Sequence, residues 1–372
     1  METCSWVCVV TAAIFTVTLL WKRSSGYWFW GLGTLIGASL YFIACPGVYV
    51  GVVLTCCLTL ICGTERSQKL LPGPGRAVLV TGCDSGFGHS LAKLLSDRGV
   101  KVFAGVLDVN GAGAQQLRER GCENLQVLQL DVTDGAQVER VRLHVSSQVG
   151  ATGLWGLVNN AGILHCPVDA ELHLISVYRL CLEVNFLAAV NMCQVFLPLL
   201  RRSKGRIVNV SSLAGEVPVP MFAAYGASKA ALTRFSTVLR MEMSAWGVRV
   251  ALIQPSGFRT NIFANTDIGR YRQEVLATVS PETREDYGEA YISSLASCLA
   301  KTSQQLPEDV SPVVDDMCHA LLAVHPRPLY TPGQMSWMLP FLHRCCPTAV
   351  FDSIVRRLPQ YTDREPAGLK RS

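Results

Sequence analysis

From Ala77 onward, short runs of aliphatic residues alternate with longer stretches in which apolar residues recur at helical spacing. Runs that are apolar at nearly every position are typical of strands buried on both faces, as in a parallel sheet covered by helices. The alternation therefore predicts an α/β fold of the Rossmann type, with a doubly wound parallel sheet. The predicted strands lie at Val78–Val80, Val102–Val106, Leu125–Leu130, Leu154–Val158, Ile207–Val210 and Val248–Ile253.

The N-terminal region has a different pattern, since Glu2, Lys22 and Arg23 are its only charged residues up to position 63. Residues 4–21 form an uncharged apolar run that is long enough to cross a bilayer. Residues 28–62 form a second apolar stretch, which a Pro-Gly pair divides into two segments. We predict an N-terminal transmembrane helical anchor with three spans. A cleaved signal peptide is the alternative for the first run.

Positive charges flank the predicted spans. With three crossings, Lys22 and Arg23 lie on the same side of the bilayer as Arg66 and Lys69, and the positive-inside rule places that side in the cytosol. The catalytic domain is therefore expected to face the cytosol, beyond a linker that two Pro-Gly pairs interrupt. The predicted organisation is an anchor at residues 1–63, a linker at 64–76, a catalytic domain at 77–333 and a C-terminal apolar segment and tail at 334–372.

Charge and cysteine content exclude several classes of function. The net charge of +5 is mild, and the basic residues form no stripe with interleaved aromatic residues, so nucleic-acid binding is not expected. The 15 cysteines are odd in number and scattered, with no C-x-x-C units, which argues against a disulfide framework and against a zinc site. We expect no metal, and we interpret the cysteines of the catalytic domain as reduced thiols.

The first predicted strand runs into a glycine-rich turn, and a helix follows at once. Glycines allow unusual backbone angles there and let the backbone approach a pyrophosphate at the positive end of the helix. A glycine turn between a strand and a helix is typical of a dinucleotide site. The residues predicted to hold the cofactor in this turn are Gly82, Asp84, Ser85, Gly86, Phe87 and Gly88.

Acidic residues follow the next two predicted strands. Asp108 lies 20 residues after Gly88, where a carboxylate can bond the adenosine ribose and repel a 2′-phosphate. This position favours NAD over NADP as the cofactor, and a plain surface acid at a strand end is the alternative. Asp131 could contact the adenine after the third strand, but Asp131 or Thr133 could equally cap the next helix.

Tyr225 and Lys229 are four positions apart in a helical stretch, so both side chains lie on one face of the helix. A lysine ammonium beside the phenol is expected to lower the phenol pKa towards neutrality and to make the tyrosinate a general base for an alcohol. Ser212 could hold the substrate oxygen, and Ser211 is the competing serine. An ordinary pair of helix residues is the alternative for Tyr225 and Lys229.

Together with the glycine turn, these residues resemble the short-chain dehydrogenase/reductase family over about residues 76–333. The family's Asn-Asn-Ala-Gly motif is present at Asn159–Gly162 and its catalytic asparagine at Asn185. The resemblance implies that the first motif stabilises the sheet beside the cofactor. It also implies that Asn185 kinks its helix and holds a water in a proton relay through Lys229. The implied catalytic residues are Asn185, Ser212, Tyr225 and Lys229, of which Ser212 and Tyr225 also contact the substrate.

After the sixth strand, the family has a Pro-Gly pair and a threonine that hold the nicotinamide carboxamide. In this chain Ser256 follows the proline, which departs from the family pattern and leaves the local turn open. The cofactor contacts implied beyond the glycine turn are Asn159, Ala161, Gly162, Tyr225, Lys229, Pro255 and Thr260, with Asp108 and Asp131 at the adenosine end.

Several segments outside the catalytic motifs are similar to family members that act on 17β-hydroxysteroids, and some of these segments are shared with 11β-hydroxysteroid enzymes. The resemblance implies a steroid substrate, such as estradiol or testosterone, which NAD oxidises to the 17-ketone at the endoplasmic reticulum membrane. An 11β-hydroxysteroid or retinol is the alternative substrate, and an NAD-binding sensor or scaffold without turnover is the alternative function. The segments are Phe103–Leu107, Asn209–Ser212, Asp286–Gly288, Tyr291–Ile292 and Tyr330–Gly333.

Two further regions concern the substrate and the assembly. Residues 258–306 interrupt the strand pattern and are expected to cover the substrate. Residues 335–342 are rich in apolar side chains that either line a lipid-facing access route or pack as a C-terminal helix or subunit contact. In related enzymes the long helices around Asn185 and Tyr225 form a dimer surface, so a homodimer is a further expectation.

Overall fold

The computed structural model describes residues 69–263, 268–356 and 366–370 of the 372-residue chain. The predicted anchor at residues 1–63, with its three spans, lies outside the described residues, as does the linker up to residue 68. The description below therefore concerns the predicted catalytic domain, the end of the linker and most of the C-terminal segment.

A seven-stranded sheet forms the centre of the described chain, in the order β3-β2-β1-β4-β5-β6-β7. Every neighbouring pair is parallel, so all strands end at the same edge of the sheet. This confirms the predicted doubly wound parallel sheet. The strands are β1 Ala77–Val80, β2 Lys101–Val106, β3 Leu125–Gln129, β4 Gly156–Asn159, β5 Arg206–Val210, β6 Arg249–Ile253 and β7 Leu329–Tyr330.

Helices cover both faces of the sheet and a third layer lies above its carboxyl edge. They are α1 Gly86–Asp97, α2 Ala112–Glu119, α3 Gly135–Val149, α4 Ile175–Leu182, α5 Ala188–Ser203, α6 Ala223–Ser244, α7 Ile268–Thr278, α8 Pro281–Tyr287, α9 Glu289–Gln304, α10 Ser311–Leu322, α11 Met338–Cys345 and α12 Thr348–Arg356. One apolar core joins α1, α2 and α10 to the sheet, and the other joins α3, α5 and α6 to its opposite face. The central strands are buried on both faces, which explains their nearly continuous aliphatic runs, whereas the edge strand β3 is only partly buried.

The strand β7 and the cap of α3 differ from the sequence expectations. Only two residues of β7 pair with β6, and prolines precede them, so the run is too short to stand out in the sequence. The helix α3 is capped by Asp134, whose carboxylate accepts from the backbone N–H groups of Ala136 and Gln137. The suggestion that Asp131 or Thr133 caps this helix is wrong, since Asp131 instead accepts from the backbone and hydroxyl of Thr133.

The segment 175–203 is one continuous helix of 29 residues, which is long and apolar enough to cross a membrane. Its inner face contributes Met192 and Phe196 to the core under the sheet. The helix is therefore a core element of this domain, as apolar core helices commonly are.

Both ends of the described chain pack onto the domain. Leu70 forms an antiparallel bridge with Ala323 at the end of α10, so the last part of the linker is held against the sheet. At the other end, α12 places Phe351 and Val355 against Val217. The apolar C-terminal segment is thus packed against the loop that follows β5, rather than being wholly free.

Replacement of Gly88 by alanine should destabilise the domain by about 1–3 kcal/mol, because a Cβ there would lie 2.5 Å from both Asn160 Nδ2 and the Gly82 carbonyl oxygen. Gly135→Ala is the matched control, since a Cβ at Gly135 meets nothing within 4 Å. Chemical unfolding of the two variants measures the difference. Equal stability of the two variants would contradict this close packing.

Candidate active site

The glycine turn joins the end of β1 to the start of α1. Gly82 and Gly86 have φ angles of 67° and 60°, in the left-handed region that favours glycine. The Ser85 side chain makes no capping hydrogen bond to the first turn of α1. The N–H groups of that turn are therefore available for an anion, and the helix dipole favours negative charge at the same place.

The Asn-Asn-Ala-Gly motif fixes this turn to the centre of the sheet. The Thr81 hydroxyl accepts from the backbone N–H groups of Asn160 and Ala161, at 3.0 Å each. The Asn160 amide donates to the Thr81 and Gly82 carbonyl oxygens at 2.9 and 3.1 Å. Asn159 reaches the neighbouring strand and donates to Asn209 Oδ1 at 2.8 Å. These contacts give a physical basis for the sheet-stabilising role that the motif was expected to have.

At the adenosine end, Asp84 and Asp108 lie beside each other. The Asp84 carboxylate accepts from the backbone N–H groups of Leu107 and Asp108 at 3.0–3.1 Å. The Asp108 side chain is exposed and accepts from the Asn110 N–H at 2.9 Å. Asp131 is partly buried just after β3, and its carboxylate accepts from the Thr133 N–H. Both Asp84 and Asp108 thus bring negative charge to the carboxyl end of β2.

Ser212 and Tyr225 come together after β5 and at the start of α6. The Ser212 hydroxyl accepts from the Ala214 N–H at 3.2 Å and forms a side-chain hydrogen bond with Tyr225. Ser211 is buried, and its hydroxyl contacts the Lys229 carbonyl oxygen at 2.8 Å and Thr233 at 2.9 Å. The structure therefore brings Ser212, and not Ser211, to the phenol of Tyr225.

Lys229 is buried one turn after Tyr225, and its Nζ donates to the Val210 carbonyl oxygen at 2.9 Å. Its Nζ lies 5.8 Å from the centre of the Tyr225 ring. A Cβ added to Gly162 would lie 3.1 Å from Asn185 Oδ1 and 3.2 Å from Lys229 Nζ, so Gly162 closely approaches both side chains. The residues expected from the two family motifs and from the Tyr-Lys pair thus meet at one point.

Asn185 lies in a π-helical segment, Glu183–Leu187, between α4 and α5. Its side chain accepts from the Ile163 N–H at 2.8 Å and donates to the Ser228 hydroxyl at 2.9 Å. The π turn is the local distortion expected at this position, and such turns are frequent at functional sites. The proton relay through Asn185 and Lys229 stays a prediction.

The pKa values of the catalytic pair differ from the expectation. Burial raises the pKa of Tyr225 to about 12, although its hydrogen bond with Ser212 lowers it. Burial also lowers the pKa of Lys229 to about 8. The prediction that Lys229 brings the phenol pKa towards neutrality is therefore wrong for the chain by itself. The cost of desolvating the phenolate outweighs the attraction of an ammonium group that is hydrogen-bonded elsewhere.

The residues expected on the nicotinamide side of the site follow β6. Pro255 accepts from the Leu213 N–H at 2.8 Å, which fixes it next to the Ser212 loop. Thr260 faces the glycine turn, since a Cβ added to Gly86 would lie 3.5 Å from its Cβ. The Ser256 side chain packs closely against Gly333, and its N–H donates to the Pro332 carbonyl oxygen at 3.0 Å. Gly333 therefore accommodates the serine that departs from the family pattern.

Sequence reasoning missed His165 and Cys181, which border the catalytic pair. The Cys181 thiol is buried, interacts with the charge of Lys229 and accepts from the backbone of His165. The His165 ring packs against Tyr271 with ring centres 4.4 Å apart, and its Nδ1 is buried without a partner. Burial lowers the pKa of His165, which favours the neutral form of the ring. The position of His165 just after the Asn-Asn-Ala-Gly motif is the only signal that could have found it.

The residues present fit a dinucleotide along the carboxyl edge of the sheet. The first turn of α1 has free N–H groups, and a side chain on Gly86 would fill the space between this turn and Thr260. Asp108 follows β2 and Thr260 follows β6. These strands lie on opposite sides of β1, which the glycine turn follows. This edge is the place where open parallel sheets bind ligands.

A family model for short chain dehydrogenases matches residues 76–270, which is more than half of the chain. The chain belongs to the short-chain dehydrogenase family. It is 42% identical to estradiol 17-beta-dehydrogenase 2 of Mus musculus, over 97% of this chain and 96% of the relative. It is 47% identical to 11-beta-hydroxysteroid dehydrogenase type 2 of Ovis aries, over 76% of this chain and 66% of that relative.

A solved short-chain dehydrogenase from Burkholderia cenocepacia, in complex with NADP, has the same fold with a TM-score of 0.57. It is 23% identical and covers 76% of this chain and 99% of its own, a likeness that shows the fold alone. The family membership identifies this short-chain dehydrogenase as an oxidoreductase.

Proposed function

We propose that this oxidoreductase converts a 17β-hydroxysteroid, such as estradiol or testosterone, to the 17-ketone with NAD. The observation that carries the proposal is the meeting of Ser212, Tyr225 and Lys229 at the carboxyl edge of the sheet. The 42% identity to a named estradiol dehydrogenase, over nearly the whole of both chains, supports the steroid as substrate.

In the proposed mechanism, Tyr225 has already lost its phenol proton and, as the tyrosinate, holds the substrate hydroxyl together with the Ser212 hydroxyl. Tyr225 takes the hydroxyl proton, and Ser212 stabilises the tyrosinate through its hydrogen bond. An oxidised dinucleotide, when bound, would supply the hydride acceptor. Lys229 is held by the Val210 carbonyl oxygen and can donate a second hydrogen bond towards the cofactor ribose. Asn185 ties its own π-helical segment to the backbone N–H of Ile163 and to the Ser228 hydroxyl.

An apolar cluster provides the wall for a hydrophobic substrate. It joins Cys166, Val168 and Leu172, which follow the Asn-Asn-Ala-Gly motif, to Tyr271 of α7 and Ile292 of α9. The segment predicted to cover the substrate therefore packs as helices against the catalytic side of the domain. Ligand sites of this kind are mostly apolar, with a few polar groups that fix orientation.

The preference for NAD is assigned to Asp108, supported by Asp84. Asp108→Asn should raise the ratio of kcat/KM with NADP to kcat/KM with NAD by about tenfold, because it removes a charge that repels the 2′-phosphate. Asparagine keeps the acceptor for the Asn110 N–H, so the loop should remain intact. Asp97→Asn, at the opposite end of α1, is the control for loss of one negative charge. A ratio unchanged from the parent would remove Asp108 from this role.

An 11β-hydroxysteroid is the second candidate substrate. The higher identity of 47% to the sheep 11-beta-hydroxysteroid dehydrogenase favours it, although that similarity extends over less of the chain.

Turnover by membranes that contain the full chain separates the candidates. Estradiol, testosterone, cortisol and all-trans-retinol are compared with NAD and with NADP. Preference for the first two substrates with NAD supports the proposal, and preference for cortisol or retinol overturns the substrate assignment.

The full chain is proposed to be anchored in the endoplasmic reticulum membrane by residues 1–63, with the catalytic domain in the cytosol. Protease added to sealed microsomes should then digest the domain, and full protection would contradict this orientation.

A homodimer is also proposed. Exposed apolar side chains on α4 and α6 support it, among them Leu180 and Val238, each 46% exposed.

A further inference from the structure

The edge of the sheet opposite to the candidate active site contains a cleft of about 650 Å³. Three arginines line it: Arg240 near the end of α6, Arg249 at the start of β6 and Arg327 just before β7. The cleft residues that the structure describes include no aspartate or glutamate. This positive cleft has no part in the proposed reaction, because the catalytic groups lie at the other ends of the same strands.

The arginine charges are only partly neutralised by the protein. Within the described residues, no ion pair joins Arg240 or Arg249 to a carboxylate. Arg327 pairs with Asp316 at 2.9 Å, but its Nε is buried without a hydrogen-bond partner. Guanidinium groups that converge without counter-charges repel one another and favour an anion between them.

A fourth arginine lies next to the cleft. Arg206 is buried, donates to the Ala320 carbonyl oxygen at 3.0 Å and stacks on Trp155 with its guanidinium carbon 5.0 Å from the ring centre. Burial, and then the charge of Arg249, lower the pKa of Arg206 to about 10. The charge of Arg249 thus adds to the effect of burial on the Arg206 guanidinium, and an anion in the cleft would offset that repulsion.

The chain leaves the domain towards its N-terminus beside this cleft. Leu71 N–H donates to the Leu322 carbonyl oxygen at 2.7 Å, and Val324 N–H donates to the Lys69 carbonyl oxygen at 2.9 Å. Arg327 follows three residues later. If the anchor ends at residue 63, six residue steps connect it to Lys69, which span at most about 20 Å. The cleft then lies close to the membrane surface.

The surface around the cleft suits the headgroup region of a bilayer. Trp246 and Met241 are 57% and 67% exposed, and the Arg201 guanidinium lies over the Trp246 ring at 5.0 Å. The Lys204 side chain runs alongside Gly247, 3.4 Å from where a Cβ on that glycine would lie. Tryptophan and basic side chains are enriched at the level of lipid headgroups, and anionic lipids attract such clusters.

We propose that this cleft binds the phosphate-bearing headgroup of an anionic membrane lipid, held by Arg240, Arg249 and Arg327. The proposal rests on the proposed membrane anchor, and it is independent of the substrate assignment. Free inorganic phosphate has the same chemistry at the anionic oxygens. The experiment must therefore separate a lipid from a soluble anion.

The test uses the full chain in bilayer discs of phosphatidylcholine, with and without phosphatidylinositol. Amide hydrogen exchange is measured for residues 244–249 and 324–328, which border the cleft. Exchange in both segments should slow by about tenfold with phosphatidylinositol. The double variant Arg240→Gln/Arg249→Gln should lose this effect. The charge-matched control Arg140→Gln/Arg272→Gln, at two exposed positions elsewhere, should keep it.

Three outcomes would overturn the proposal. Phosphatidylinositol could leave exchange unchanged, the control variant could lose the effect as well, or inorganic phosphate with phosphatidylcholine discs could slow exchange equally, which would indicate a soluble-anion site. A chain that does not insert into the discs would contradict the anchor and with it the lipid assignment. An inserted chain without the lipid effect would contradict the cleft alone. Turnover near the parent value in Arg240→Gln/Arg249→Gln checks that this variant is folded.

Discussion

Replacement of Tyr225 by phenylalanine should lower kcat by about 10²–10⁴-fold while the dinucleotide still binds. The phenol is the group that takes the substrate proton, and Lys229 cannot replace it because its Nζ is bound to the Val210 carbonyl oxygen. The phosphate contacts expected at the glycine turn do not involve Tyr225, so affinity for NAD should change little. Product formation gives kcat, and calorimetric titration gives the dissociation constant of NAD.

Tyr330→Phe is the matched control for this prediction. Its hydroxyl is bonded to His319 Nδ1 at 2.8 Å and accepts from the Arg327 N–H at 2.9 Å, at the amino edge of the sheet. Loss of that hydroxyl should reduce stability by about 1 kcal/mol and leave turnover within a few-fold of the parent. Unchanged turnover in Tyr225→Phe would show that another group removes the proton. Loss of NAD binding in that variant would assign Tyr225 a structural role.

Ser212→Ala should lower kcat/KM by about 10²-fold, because the substrate oxygen and the Tyr225 phenol both lose a hydrogen-bond partner. The bond with Ser212 lowers the Tyr225 pKa, so its removal raises that pKa further. A base with a higher pKa is deprotonated to a smaller extent at any pH below it. The rate of oxidation should therefore reach its alkaline plateau at a higher pH in Ser212→Ala than in the parent, as measured by kcat/KM against pH.

The neighbouring serine provides the control. Ser211→Ala removes a buried hydroxyl that contacts the Lys229 carbonyl oxygen and Thr233, so it should cost about 1 kcal/mol of stability. Its kcat/KM and pH profile should remain near those of the parent. If the two alanine variants had the same kinetic defect, the effect would come from the shared loop rather than from the Ser212 hydroxyl.

The central sheet and the position of the glycine turn could be predicted from the sequence pattern alone. The strands β1 to β6 are read mainly from aliphatic residues, because a parallel strand covered on both faces has few polar positions. The glycines from Gly82 to Gly88 lie between a predicted strand and a predicted helix, and this arrangement indicates a dinucleotide-binding turn. The four-residue spacing of Tyr225 and Lys229 likewise predicts that they share one helix face, as they do.

Features that depend on contacts between residues far apart in the sequence became apparent only in the tertiary structure. The two residues of β7 form a strand only because the edge of β6 is available for pairing. The prolines before them interrupt the apolar pattern, so the sequence does not indicate a strand there. His165 and Cys181 become part of the site because α4 packs beside the loop after β4. Such contacts bring together residues that no local period relates.

The protonation of the catalytic pair was also decided by the fold. The sequence shows an ammonium group and a phenol on one helix face, and this predicts a lowered phenol pKa. In the structure, Lys229 is buried and bound to Val210, Tyr225 is only partly exposed, and the pKa of Tyr225 rises to about 12. The balance between charge attraction and desolvation depends on how completely the surrounding elements exclude water, and residue spacing does not contain that information.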